Sequence, residues 1–157
     1  MLYGAGLSIT ISLVAVLAGA VIGAAFGIVA GYLGVLVDSV IAQLLDVLLP
    51  FPAILLGIGV AAIFGTGVQG IIVAIGIASV PDFARIASAA AISERERNYV
   101  AAAHAIGASP GRIMRLHVLL NVVPPLLIQL SVALSFAVLL EAGLSFLGLG
   151  VQPPQPS

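Results

Sequence analysis

"LSITISLVAVLAGAVIGAAFGIVA", residues 7–30, decides the class of fold. It carries no charged residue and no proline. A bilayer core of ~30 Å takes ~20 apolar residues as an α-helix, so this stretch is long enough to cross one. Gly19, Gly23 and Gly27 recur at every fourth position within it, and Gly31 continues the series. That spacing puts all four on one helix face. In lipid, packing rather than hydrophobicity drives helix association, and small residues let backbones approach. Gly19, Gly23, Gly27 and Gly31 are therefore the predicted helix-packing face.

Three further segments have the length and apolarity of membrane helices: residues 41–64, 71–92 and 126–147. Prolines stand near or within them, at Pro50, Pro52 and Pro81, and Pro124 and Pro125 precede the last. Pro81 predicts a kink or a fresh helix start, and Pro124–Pro125 an interruption close to the membrane. "GTGVQG", residues 65–70, reads as a short loop. "GVQPPQPS", residues 150–157, cannot be regular helix. A β-barrel calls for alternating segments of about ten residues, and these runs are continuous and longer. The predicted fold is all-α: one polytopic transmembrane bundle of about four membrane helices.

Composition agrees. The chain of 157 residues is 62% hydrophobic and 7% charged, against about 25% charged in soluble domains. Its net charge of −1 gives no support to nucleic acid as a partner; membrane lipid is the expected surroundings. Without cysteine there is no disulfide or thiolate metal site. Without lysine there is no Walker A loop, so any ATP hydrolysis falls to another subunit. His104 and His117 lack the H-E-x-x-H spacing, and there is no G-x-S-x-G elbow. No catalytic residue, metal site or bound cofactor is predicted.

All five basic residues, Arg85, Arg95, Arg97, Arg112 and Arg115, lie at the end of the third segment or just after it. The positive-inside rule places residues 93–117 in the cytoplasm and, by alternation, the N-terminus, residues 65–70 and the proline-rich tail outside. An outside N-terminus suggests a piece of a longer chain. Within "SERERNYVAAAHAIGASPGRIMRLH", residues 93–117, Ser93 and Glu96 have capping-box spacing, which predicts a helix from Glu94. Gly107 suits the left-handed position that closes such a helix. Ser109–Pro110 reads as N-cap and first residue of a second helix carrying Arg112, Arg115 and His117. The result is helix, glycine turn, helix, with Ala101, Ala102, Ala105 and Ile106 as a small apolar surface. A short helix of this kind suits a groove on a partner; a plain cytoplasmic loop is the simpler reading.

The acids are few. Asp38 and Asp46 flank the start of the second segment and read as interfacial carboxylates, with Gln43 within reach of Asp46. Asp82 and Arg85 have the spacing of an intrahelical ion pair. Glu141 lies deep in the last segment, where a lone carboxylate is costly in lipid. It is expected to face protein or a wet cavity, in a structural or a translocation role.

"YVAAAHAIGASPGRIMRLHVLLNVVPPLL", residues 99–127, resembles the cytoplasmic signature of binding-protein-dependent ABC importer permeases. "EAGLSFLGLGVQPPQPS" and "GYLGVLVDSVIAQLLDVLLPFP" resemble the dipeptide, oligopeptide and nickel branch in particular. The resemblance implies a permease subunit of an ATP-driven importer in the inner membrane, for peptides, a related small solute or nickel. It implies separate partners: ABC ATPase subunits holding the ATP, a second permease subunit and an extracytoplasmic substrate-binding protein. It implies an ATPase-coupling set of Tyr99, Ala101, Ala102, Ala103, Ala105, Ile106, Gly107, Ser109, Arg112, Arg115 and His117. Ala101 stands where the signature has glutamate, Leu120 where proline is usual and Gln43 where arginine is common. Such permeases have about six membrane helices, so one is expected to be missing at each end. Two other classes fit parts of the pattern: a non-transporting membrane scaffold or permease remnant, and an intramembrane enzyme built on Glu141 or Asp46.

Overall fold

The computed structural model describes residues 2–47, 52–65 and 67–149, and every regular element among them is helical. In chain order these are α1 (Leu2–Leu33), α2 (Val35–Asp46), α3 (Ala53–Phe64), α4 (Val68–Arg95), α5 (Asn98–Ala105) and α6 (Pro110–Phe146). Among the described residues, Gly6–Leu33, Val68–Arg95 and Pro110–Phe146 are long and apolar enough to cross a membrane. Residues 150–157, the proline-rich tail, lie outside the described residues.

α1 runs without interruption because nothing in it removes a backbone donor, and Gly34, at φ 117°, turns the chain at its end. It packs chiefly on α4, and the glycine face makes that contact. A methyl group at Gly19, Gly23 or Gly31 would stand 2.5 Å from the carbonyl oxygen of Gly76, Val80 or Ser88 respectively. One at Gly27 would press on the carbonyl of Ala84. Positions 19, 23, 27 and 31 thus meet positions 76, 80, 84 and 88, in the same order, so α1 and α4 run parallel. The glycine Cα–H groups point at α4 carbonyls, a weak contact common where helices touch.

The continuous helix expected over residues 41–64 is not formed. α2 ends at Asp46, and α3 begins at Ala53 with Pro52 in the N-cap position at φ −52°, ψ 134°. Proline has no N–H to give a preceding turn, and its fixed φ suits the start of a helix. At 12 residues α3 is about 18 Å long, too short for a ~30 Å core.

Elsewhere the chain ignores local stop signals. α4 passes through Pro81 and through Ser93, so the expected capping box does not start a helix; Glu96 closes α4 and the next helix begins at Asn98. Ala87 and Ala91 are fully buried, and the Arg95 guanidinium donates to the Tyr32 carbonyl at the end of α1. Packing along α1 therefore carries α4 one turn further than its local signal. α6 likewise runs through Pro124 and Pro125, with a π-helical turn at Met114–Val118 upstream. Membrane helices tolerate proline where such adjustments re-satisfy the backbone.

Two buried clusters hold the bundle. One joins Ile11, Val16, Ile75, Phe83, Leu140 and Leu144. The other, at the opposite end, joins Ile28, Tyr32, Ala87 and Ala91 to Val100, Ile113, Val118 and Val122. Large apolar side chains such as Ile9, Val21, Phe26, Ile63, Ile128 and Leu139 stand on the outer surface, which suits hydrocarbon rather than water.

Candidate functional site

The elbow between α4 and α6 is built from its buried side outward. Val100 and Ile113 are each 1% exposed and enter the second cluster beside Val118 and Val122. They fix α5 and the start of α6 to the ends of α1 and α4. Val100 faces inward, so its neighbours on the other side of α5 face out: Ala101, Ala102 and Ala105 are exposed, Ala103 is half-buried, and Ile106 is 86% exposed at the apex.

Gly107 closes α5. Its φ of 82° is left-handed, and the Ala108 N–H donates to the Ala103 carbonyl at 3.0 Å, the reach-back bond of a glycine-terminated helix. No atom lies within 4 Å of where a Gly107 side chain would begin, so only the backbone conformation demands glycine there. Ser109 is extended at φ −67°, ψ 146°, and Pro110 opens α6. The Ser109 side chain makes no capping hydrogen bond; its carbonyl takes the N–H groups of Arg112 and Ile113 at 3.0 and 3.1 Å. Arg112 and Arg115 are exposed, and with Ile106, Gly107, Leu116 and His117 the first of them lines an open hollow of about 370 Å³.

A polar knot ties the elbow to the helices. Tyr99 donates its hydroxyl to the Glu94 carboxylate. The Asn121 amide donates to Glu94 Oε2 at 3.3 Å, to the Tyr99 hydroxyl at 3.1 Å and to the His117 carbonyl at 3.0 Å. The Tyr99 and His117 rings lie 5.5 Å apart, tilted by 54°. The hydrogen bond to Glu94, with lesser help from burial and from that carboxylate's charge, holds the Tyr99 phenol above its ordinary range. Of the predicted coupling residues the structure therefore joins Tyr99 and His117 in one cluster and sets Ala101, Ala102, Ala105, Ile106, Arg112 and Arg115 outside it. Glu94 and Asn121 are its centre, and neither is in the predicted coupling set. A Glu five residues before a Tyr and a downstream Asn signal little until α6 folds back beside the end of α4.

Asp38, Asp46 and Asp82 are placed differently from expectation, and Glu141 faces protein as expected. Arg85 pairs with Asp46 of α2, at 2.5 Å, instead of with Asp82. Ser88 donates to Asp38 at 2.5 Å. Both α2 carboxylates are thus tied to α4 rather than simply solvated. They lie about two turns apart on α2, and both contacts turn that side of it to α4. Glu141 is 6% exposed, packed in protein, and accepts a hydrogen bond from Ser145 at 3.0 Å.

Residues 23–157 match the family described as binding-protein-dependent transport system inner membrane component. The chain is 40% identical over 156 residues to the dipeptide transport system permease protein of Alkalihalophilus pseudofirmus, covering 99% of this chain and 51% of that one. It is 38% identical to a di/tripeptide transport system permease protein of Pseudomonas aeruginosa, covering 99% and 52%. It is 36% identical to a glutathione transport system permease protein of Pectobacterium atrosepticum, again covering 99% and 52%. The chain spans about half the length of these relatives. With its match over residues 23–157 and its three long apolar helices, the chain belongs to the binding-protein-dependent transport system inner membrane component family.

Proposed function

We propose that this chain is the elbow-bearing part of the membrane permease of an ATP-driven importer, and that its cargo is a short peptide. The names of the relatives, dipeptide, di/tripeptide and glutathione permeases, support that cargo class. One observation carries the coupling role: an exposed apolar apex, Ala101, Ala102, Ala105 and Ile106, stands on a buried anchor of Val100 and Ile113. An apolar surface so placed asks for a partner, and its anchor reaches α1, α4 and α6 at once.

In this reading the elbow faces the cytoplasm and sits in a groove of an ABC ATPase subunit, which binds the ATP that this lysine-free chain does not. Closure of two ATPase subunits pushes α5. The push passes through Val100 and Ile113 into the second cluster and through Tyr99 and Asn121 into α4 and α6. The helices then exchange between inward- and outward-facing states as rigid bodies, because ATP binding favours one state of a two-state element. A second permease subunit completes the pathway, and an extracytoplasmic binding protein delivers the peptide. The missing signature glutamate at Ala101 leaves shape and apolar contact as the main adhesion, with Arg112 and Arg115 as polar contacts beside the hollow.

The test uses the full-length permease reconstituted with its partner subunits in proteoliposomes. Gly107→Val forces a branched side chain into a left-handed backbone and is expected to cut peptide uptake and peptide-stimulated ATPase activity by at least roughly tenfold, about 1.4 kcal/mol of coupling. Membrane insertion remains. Peptide-stimulated ATPase activity equal to the unaltered complex would sink the coupling role.

A further inference from the structure

The charges in the middle of the bundle do not balance. Asp82 lies near the midpoint of α4, on the wall of a cavity of about 210 Å³ between α1, α3, α4 and α6. The other polar groups on that wall are Ser79 and Gln129; the rest is apolar, including Val16, Ala133 and Phe136. Ser79 donates its proton to the Gly76 carbonyl at 2.9 Å, and its oxygen is packed against Gly19 of α1. The nearest cation on α4, Arg85, is held by Asp46. Among the described residues, no Arg or His lines the cavity. The start of α3, beside Ala53, brings only the partial charge of a helix end, about half a unit.

A carboxylate at such depth ordinarily faces a wet cavity or meets a cation, and marks a pathway. Transporter binding sites gather near the bilayer midplane, where helices are broken, and Ala53, the first residue of α3, stands on this cavity's wall. A cavity of 150 Å³ is enough for benzene, so about 210 Å³ has room for one amino-acid residue. We infer that Asp82, with Gln129, forms a subsite for the protonated amino group of the transported solute. The ammonium presents three donors, and the site offers the two oxygens of a carboxylate and an amide oxygen as acceptors. The inference rests on the permease reading for its cargo, but the site's preference for cations is a property of the cavity itself.

That distinction sets the experiment. Residues 1–157 hold no cysteine, so Ala133→Cys, made in a full-length permease with any cysteine outside them replaced by serine, places one thiol on the cavity wall. In the assembled full-length complex, modification of this chain by a 2-aminoethyl and by a sulfonatoethyl methanethiosulfonate is followed by mass. The cationic reagent is expected to react roughly tenfold faster relative to its rate on free thiol, and Asp82→Asn to abolish that ratio while Asp82→Glu keeps it. ATP-driven uptake of dialanine is measured beside it. Asp82→Asn is expected to raise its KM roughly tenfold, the worth of one charge-assisted hydrogen bond, with rescue by Asp82→Glu.

A thiol that neither reagent reaches, or a rate ratio indifferent to Asp82→Asn, overturns the subsite. So does loss of the second permease subunit from purified Asp82→Asn complex, which assigns the carboxylate to a cation across the subunit interface. Dialanine uptake with an unchanged KM in Asp82→Asn overturns the cargo's contact with the site. Absence of uptake in the unaltered complex, with the rate ratio intact, overturns the peptide-importer reading and leaves the cation site standing.

Discussion

Gly23 and Gly59 are the same residue in two helices with opposite stakes. A methyl at Gly23 would lie 2.5 Å from the Val80 carbonyl oxygen, 2.8 Å from Phe83 Cβ and 3.1 Å from the Ala84 nitrogen. Two of those three atoms belong to a helix backbone, which cannot swing aside. Gly23→Ala therefore has to part α1 from α4, and the ladder at Gly19, Gly27 and Gly31 loosens with it. Overpacking of this kind costs about 1–3 kcal/mol, against a gain of about 1 kcal/mol in helix propensity. Nothing lies within 4 Å of a methyl at Gly59, so Gly59→Ala keeps only the gain. Thermal unfolding of the full-length protein in detergent is expected to show Gly23→Ala melting below the unaltered protein and Gly59→Ala at or above it. Equal shifts would remove the ladder from the account of α1–α4 packing. That ladder was legible in the sequence as a spacing. Its partner was not, because the α4 face is made of backbone carbonyls, to which no residue type gives a name.

At the scale of elements, the elbow is a helix set by both local and distant signals, and only the local ones can be read along the chain. Gly107 and Pro110 announce their positions because left-handed backbone and a missing N–H are properties of single residues. Ser93 and Glu96 mislead because α4 gains a further turn of packing on α1 that the capping pattern knows nothing of. The break between α2 and α3 was foreshadowed by Pro50 and Pro52, but the apolar run around them is continuous and hid it. The polar knot joins residues 22 and 27 apart in sequence, at Tyr99–Asn121 and Glu94–Asn121. Its energetics have a pH signature. The Tyr99 phenol is raised above its ordinary value of about 10. A group raised on folding stabilises the fold in full below the unfolded value and loses that contribution as pH climbs through the folded one. The knot is thus expected to be intact at neutral pH and to open only in strong alkali. The difference in tyrosinate absorbance between the unaltered chain and Tyr99→Phe isolates this phenol. Its midpoint is expected above 10 and to fall back toward 10 in Glu94→Gln; a midpoint at or below 10 in the unaltered chain would count against the Glu94 contact.

At the scale of the whole molecule, α2 is the least apolar attachment in the bundle. It reaches α4 through Asp38–Ser88 and Asp46–Arg85, pairs separated by 50 and 39 residues in the chain. Higher numbers on α2 meet lower numbers on α4, so the two run antiparallel and each contact checks the register of the other. Arg85 lies ten residues before Arg95, about 15 Å along α4 from the elbow end, and its side chain and that of Asp46 are each about half exposed, at 54% and 51%. Removing either charge alone strands the other, while removing both leaves two neutral side chains that lipid and protein accept. Asp46→Asn and Arg85→Gln are each expected to lower thermal stability, and the double variant by clearly less than their sum. The coupling between contacting charges falls within about 0.5–3 kcal/mol, and with both side chains half exposed a value near the lower end, about 0.5–1 kcal/mol, is expected here. Additivity within about 0.3 kcal/mol, the behaviour of independent sites, would mean that lipid or another subunit holds Arg85. The coupling also bears on Asp82, one turn along α4 from Arg85. The more firmly Arg85 is held by α2, the less able it is to swing back and neutralise Asp82, and the more the carboxylate on the cavity wall depends on a cation that arrives from outside the chain.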